Sequence, residues 1–158
     1  MTLPSQERLQ DALDAAYRFL GRRDRTVAEV RTRLHADDLE PHVVDAAIEE
    51  LAHMGYLDDA RYARRFAEDR RTMDAWGAER IERRLLAVGV DPALIAEALG
   101  ERGAAEELDA AVAVLRRRFP RAPAGDRDRD RALGMLVRRG YDLELAYDAI
   151  RAYERDAA

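Results

Sequence analysis

A repeat of 51 residues constrains the fold of this chain more than any other feature of its sequence. Leu34, Leu85 and Leu136 are spaced 51 residues apart, and the segments around them align without gaps. Four residues after each leucine stands an aspartate or a glycine, and two residues further an acid. These positions are Asp38, Gly89 and Gly140, followed by Glu40, Asp91 and Asp142. Glycine commonly ends a helix and an acid commonly begins one, so each unit predicts a helical hairpin.

Local capping signals agree with these hairpins. Thr26 and Glu29 have the spacing of a capping box, which starts a helix. Asp91 followed by Pro92 is typical of an N-cap with proline in the first helical position. The glycines of the second and third hairpins suit the left-handed conformation that ends a helix. The sequence therefore marks both ends of several helices.

Apolar residues with helical spacing predict one further helix before each hairpin. The predicted fold is all-α, with three tandem three-helix repeats at 1–57, 58–103 and 104–158. The nine predicted helices are 6–20, 27–36, 41–53, 59–73, 77–88, 92–100, 104–119, 127–139 and 143–155. A unit of about 50 residues buries little surface alone, so we expect the repeats to share a core in an elongated, curved array.

Composition excludes several classes of protein. The chain has 158 residues and no cysteine, which excludes disulfides and thiolate metal sites. Its start lacks the order of a signal peptide, and no apolar run reaches membrane-spanning length. We therefore expect a cytoplasmic protein that does not contact membranes and is a monomer.

All 27 basic residues are arginine, yet the formal net charge is −5, which argues against a general DNA-binding protein. Residues 1–60 carry −6, residues 61–119 carry +1, and residues 120–158 are neutral. Any basic surface must therefore come from local clusters in the last two repeats. The predicted partner-binding residues are Arg61, Arg64, Arg65, Arg80, Arg83, Arg84, Arg138 and Arg139. Each cluster taken alone is also typical of a solvated face with salt bridges.

Other candidate sites have simpler structural interpretations. No two of His35, His42 and His53 have the i, i+4 spacing of a helical zinc site, so no metal site is predicted. Trp76 is expected to fill a junction between helices. The tyrosines Tyr56, Tyr62 and Tyr141 are expected in the core or at junctions. The sequence contains no phosphate-binding loop or nucleophile elbow, so neither catalysis nor a cofactor is predicted.

One segment carries a more specific signal. The run GYLDDARYARRFAEDR at residues 55–70 resembles the signature of the RecX family, bacterial regulators of the RecA recombinase. Two more segments resemble that family: Arg25 to Leu34, and Leu136 to Tyr141. The motif residues are Gly55, Tyr56, Leu57, Asp58, Asp59, Tyr62, Ala63 and Phe66. The resemblance covers nearly all of residues 10–153 and has the same repeat organisation.

The resemblance implies a regulator without enzymatic activity. Members of the family bind along the RecA filament on single-stranded DNA and modulate, usually inhibit, its ATPase, strand-exchange and coprotease activities in recombinational DNA repair and the SOS response. Several members are more basic than this chain, so we expect weak or no independent DNA binding. Two alternatives remain open: a helix-turn-helix DNA-binding protein, and a helical adaptor with an unrelated protein partner.

Overall fold

The computed structural model describes residues 5–158, and this part of the chain contains nine α-helices and no β-strand. In chain order the helices are α1 (Gln6–Leu20), α2 (Val27–Ala36), α3 (Pro41–His53), α4 (Asp59–Asp74), α5 (Ala78–Ala87), α6 (Pro92–Leu99), α7 (Ala104–Arg118), α8 (Asp126–Arg138) and α9 (Leu143–Ala157).

The predicted all-helical fold is confirmed helix by helix. Every helix begins within one residue of its predicted start and ends within two residues of its predicted end. The three predicted hairpins are α2–α3, α5–α6 and α8–α9, and the two helices pack against each other in the first and the third. The repeat limits at 57/58 and 103/104 and the elongated, curved array stay predictions.

The contacts divide the chain into two compact units. Unit 1 takes in the described residues up to Ala63 together with Leu85–Ile95, and unit 2 takes in Arg64–Arg84 and Ala96–Ala158. The division passes through α4, α5 and α6, so each of these helices contributes residues to both units.

Each unit contains one main apolar core built from the positions that repeat in the sequence. In unit 1, Val30 and Leu34 are fully buried among side chains of α1 and α3. In unit 2, their counterparts Ala132 and Leu136 are fully buried among side chains of α7 and α9. The 51-residue repeat therefore marks core positions. The repeats resemble one another at these buried positions and differ at exposed ones.

The turn within each hairpin has the same backbone. Asp38, Gly89 and Gly140 all adopt the left-handed conformation, with φ of 57°, 84° and 100°. At Gly140, the amide of the next residue, Tyr141, donates to the carbonyl of Leu136 at 3.1 Å, as a Schellman motif requires. The aspartate at the first position pays a steric cost that glycine avoids.

A close junction joins α2 to the second turn inside unit 1. The Thr26 hydroxyl accepts a hydrogen bond from the Glu29 amide at 3.2 Å and donates one to the Val88 carbonyl at 2.5 Å. A Cβ on Gly89 would lie 2.3 Å from the Cβ of Ala28. The second turn therefore needs glycine for space as well as for its φ angle.

Unit 2 repeats this junction one repeat later. The Gly77 amide donates to the Arg139 carbonyl at 2.8 Å, and the Glu79 amide donates to the Gly140 carbonyl at 2.9 Å. A Cβ on Gly140 would lie 2.3 Å from the Cβ of Arg80. Gly77 and Arg139 stand 51 residues after Thr26 and Val88, so the junction repeats with the sequence.

Candidate partner-binding surface

The segment from Gly55 to Phe66 links α3 to α4 and fixes where α4 begins. Gly55 has a φ of 82° and ends α3, while the Tyr56 amide donates to the Leu51 carbonyl at 2.9 Å. Leu57 is buried in the core of unit 1. These three residues thus form a helix end and an apolar anchor.

The two adjacent aspartates of this segment have different roles. The Asp58 carboxylate accepts a hydrogen bond from the Arg61 amide at 3.0 Å and caps α4. The Asp59 carboxylate accepts from the Val27 amide at 3.0 Å, at the first residue of α2. Burial raises the pKa of Asp59, and the Val27 hydrogen bond opposes that rise. Asp59 therefore gives the first amide of α2 a hydrogen-bond acceptor, a role that the sequence did not reveal.

The aromatic residues of this region differ in exposure. Tyr56 is 54% exposed and makes an edge contact with Tyr17, with ring centroids 5.4 Å apart. The expectation of a core position is therefore wrong for Tyr56, because its ring is more than half exposed in the turn that ends α3. Tyr141 is buried, as predicted, and its hydroxyl donates to the Ala75 carbonyl at 3.0 Å. Tyr62 is partly buried.

Ala63 is fully buried and Phe66 partly buried. Within unit 2, the Phe66 ring contacts Trp76 edge-on, with centroids 6.0 Å apart. The guanidinium of Arg80 lies 4.1 Å from the centroid of the same indole. Trp76 is thus held between an aromatic ring and a cation at the start of α5.

Three of the eight predicted partner-binding arginines make contacts within the chain. Arg61 donates to the Gly55 carbonyl at 2.8 Å, and Arg80 covers Trp76. Arg139 donates to the Asp74 carbonyl at 2.7 Å, at the end of α4. Burial, and next the charge of Arg118, lower the pKa of Arg139. Arg139 therefore stabilises the fold of unit 2 by binding the end of α4.

The other five predicted arginines are exposed, and none forms an ion pair with a carboxylate within residues 5–158. They are Arg64, Arg65, Arg83, Arg84 and Arg138. In unit 2 the structure brings Arg80, Arg138 and Arg139 together, since Arg80 also approaches the Arg138 carbonyl at 3.5 Å. The five exposed arginines keep their side chains in solvent, whereas Arg80 and Arg139 are engaged within unit 2.

A basic groove that the sequence analysis did not single out lies between the end of α7 and α8. It has a volume of about 960 Å³, and its lining includes five arginines and a single acid, Asp130. The arginines are Arg118, Arg121, Arg127, Arg131 and Arg138. Alternating Asp and Arg in residues 126–131 hid this feature, because opposite charges on different faces of a helix cancel in a linear count.

Neither a metal cluster nor a membrane span is found in the described chain. Between residues 5 and 158, no three His, Asp or Glu side chains are grouped so that they could hold a metal ion. The His42 ring lies 3.4 Å from the Glu40 carboxylate, which also binds Arg8. None of the helices in this part is long and apolar enough to cross a membrane.

Together, the fold and this surface define an all-helical repeat protein with clustered, unpaired arginines. Residues 12–51, 58–99 and 105–150 match the first, second and third three-helix domains of RecX. The chain belongs to the RecX family of regulatory proteins.

Curated relatives of the same family are similar to this chain over most of its length. The regulatory protein RecX of Trichlorobacter lovleyi is 36% identical over 140 residues, which cover 85% of this chain and 90% of the relative. That of Thermus thermophilus is 36% identical over 146 residues, covering 92% of this chain and 94% of the relative. That of Deinococcus radiodurans is 32% identical, covering 92% and 70%.

Solved structures show the same fold at lower identity. The crystal structure of RecX from Lactobacillus salivarius superposes with a TM-score of 0.84 at 18% identity, covering 96% of this chain and 99% of that one. A second crystal structure of a regulatory protein RecX gives a TM-score of 0.74 at 20% identity, covering 92% and 72%.

Proposed function

We propose that this chain binds the RecA recombinase filament on DNA in the cytoplasm and inhibits its ATPase, strand-exchange and coprotease activities. It acts as a regulator and catalyses no reaction itself. The observation that carries this proposal is the ordered match of all three RecX domains across residues 12–150. Relatives that share the whole arrangement are named regulatory proteins.

The exposed arginines support a polyanionic partner. A filament on DNA presents phosphates, and filament protomers can present carboxylates. Guanidinium groups bind both with paired hydrogen bonds. Arg64 and Arg65 on α4, and Arg83 and Arg84 on α5, have no ion pair within the described chain that such a partner would have to break. They are therefore the most direct candidates for contact.

The test is the ATPase rate of RecA on single-stranded DNA, measured against increasing amounts of this protein. Wild type is expected to lower the rate. The variants R64E/R65E and R83E/R84E should need roughly tenfold more protein for the same inhibition, because reversed charges now repel the filament. Arg61, Arg80 and Arg139 are left unchanged, since their contacts support the fold.

The control is R151E/R155E, which makes the same charge change on exposed positions of α9 and also removes the exposed ion pair of Arg151 with Asp148. It should inhibit within about twofold of wild type, and far-UV circular dichroism should show equal helicity for all variants. If wild type neither binds filaments nor slows ATP hydrolysis, the proposal fails. Tight, sequence-specific binding to bare duplex DNA at physiological salt would instead favour the helix-turn-helix alternative.

A further inference from the structure

The basic groove between α7 and α8 carries positive charge that carboxylates of the described chain do not neutralise. None of its five arginines pairs with a carboxylate within residues 5–158, whereas their sequence neighbours do. Arg116 donates to Asp156 at 2.7 Å, and Arg129 donates to Glu154 at 2.7 Å. The acids of α9 thus neutralise the arginines outside the groove and leave those inside it without a carboxylate partner. Among them, Arg131 lies over the Phe119 ring, with its guanidinium 5.9 Å from the centroid.

The position of α8 in the repeat indicates what kind of ligand fits. At the same register, the start of α2 receives the turn that contains Val88, and the start of α5 receives the turn that contains Arg139. No described residue packs in this way on α8, where Arg131 is exposed. The α8 surface is therefore the third copy of a surface that twice accepts a helical turn.

The third copy differs from the first in charge and from both others in where its helix begins. Arg131 stands where α2 has Glu29 and α5 has Arg80, and α8 begins three residues earlier in the register, which adds Arg127. Phe119 and Met135 supply apolar lining between the arginines. A helix with carboxylates and aliphatic side chains matches this mixture better than a bare phosphate backbone does.

We propose that the basic groove binds an acidic helical segment of the protein partner. This inference rests on the proposed function, in which that partner is the recombinase filament. The arginines neutralise carboxylates along one face of the incoming helix, while Phe119 and Met135 pack against its apolar side chains. The groove is a second contact, separate in sequence from the arginines of α4 and α5.

The first test is photo-crosslinking with the full chain. The exposed Arg121 is replaced by p-benzoylphenylalanine, and the protein is irradiated with RecA filaments assembled on single-stranded DNA. We expect an adduct to RecA whose crosslinked peptide is acidic. The same probe at Arg155 on α9 is the control and should give no such adduct. An adduct to DNA, an adduct to a second copy of this chain, or no adduct at all would overturn the proposal.

The second test measures filament affinity for R127E/R131E, which changes the groove and leaves α4 and α5 intact. Its affinity should fall about tenfold or more, against about twofold or less for R151E/R155E at equal helicity. Unchanged affinity would overturn the groove while leaving the proposed function standing. Failure of wild type itself to bind filaments would instead remove the proposed function. An equal loss of binding to bare single-stranded DNA would assign the groove to nucleic acid and overturn the proposal.

Discussion

Asp58 and Asp59 are neighbours of the same residue type, yet the chain uses them in different helices. Asp58 caps its own helix, and Asp59 accepts a hydrogen bond from the first amide of α2. Both aspartates stand at the start of α4, and only the fold separates their roles. Because Asp59 lies partly buried next to Asp58 and Glu29, its ionised form is disfavoured in the folded state.

The substitution D59N tests this charge cost. At Asp59 the folded state binds more protons than the unfolded state in the pH range just above 3.8, the ordinary pKa of the group, so the contribution of Asp59 to stability should fall as pH rises through that range. D59N keeps an oxygen for the Val27 amide and cannot ionise. In urea unfolding at several pH values, the free energy of unfolding of D59N should rise relative to that of wild type as pH rises.

The control for D59N is D59A, which loses the acceptor altogether. It should be destabilised by about 1 kcal/mol even at low pH, because the Val27 amide then lacks its partner. Parallel pH curves for wild type and D59N would show that the carboxylate ionises freely in the folded protein.

At the scale of elements, the turns that end helices determine how closely successive helices approach. Gly55 and Gly140 both have positive φ, but no atom lies within 4 Å of a Cβ built on Gly55. A Cβ on Gly140 would meet the backbone nitrogen of Arg80 at 2.5 Å. One turn needs glycine for its conformation alone, and the other also needs it for space.

This difference predicts unequal effects of alanine. G55A should lower the free energy of unfolding by about 1–2 kcal/mol, the cost of a left-handed alanine. G140A should lower it by about 2–5 kcal/mol, because backbone must also move away from the new methyl group. Urea denaturation of the two variants side by side measures the difference. Equal losses would mean that the junction between Gly77 and Gly140 opens without cost.

The helices themselves were predictable because their signals are local. Capping residues and the 3.6-residue apolar period lie within one helix, so its limits can be found without tertiary contacts. Ala75 is a residue whose conformation such local signals do not predict. It has a φ of 53°, and its carbonyl is bound by Tyr141, a residue 66 positions away. A left-handed alanine has no sequence signal, because a distant partner stabilises it.

The candidate surface was predictable only in part for the same reason. Arg64, Arg65, Arg83 and Arg84 are exposed, and helical spacing alone puts them on the surface. Arg139 stands in an equally basic cluster but binds the Asp74 carbonyl, which depends on packing between distant segments. The basic groove was missed because its arginines come from α7, α8 and the segment between them.

At the scale of the whole molecule, the two units share three continuous helices. The division between the units falls after Ala63 in α4, after Arg84 in α5 and after Ile95 in α6. The helix α5 has 10 residues, so either part of it is far shorter than the roughly 12 residues that a marginally stable isolated helix needs. If one unit unfolded alone, the parts of α4, α5 and α6 that remain in the other unit would be too short to stay helical. We therefore expect the chain to unfold cooperatively.

Thr26 and Trp76 allow this cooperativity to be measured, because Thr26 is buried in unit 1 and the single tryptophan lies in unit 2. T26A removes the cap of α2 and the hydrogen bond to the Val88 carbonyl, and should cost about 1–3 kcal/mol. We expect the urea midpoint followed by Trp76 fluorescence to fall as far as the midpoint followed by far-UV circular dichroism. T26S keeps the hydroxyl and should stay close to wild type in both. If T26A shifts the dichroism and leaves the fluorescence transition in place, the units unfold independently, and the shared helices do not couple them.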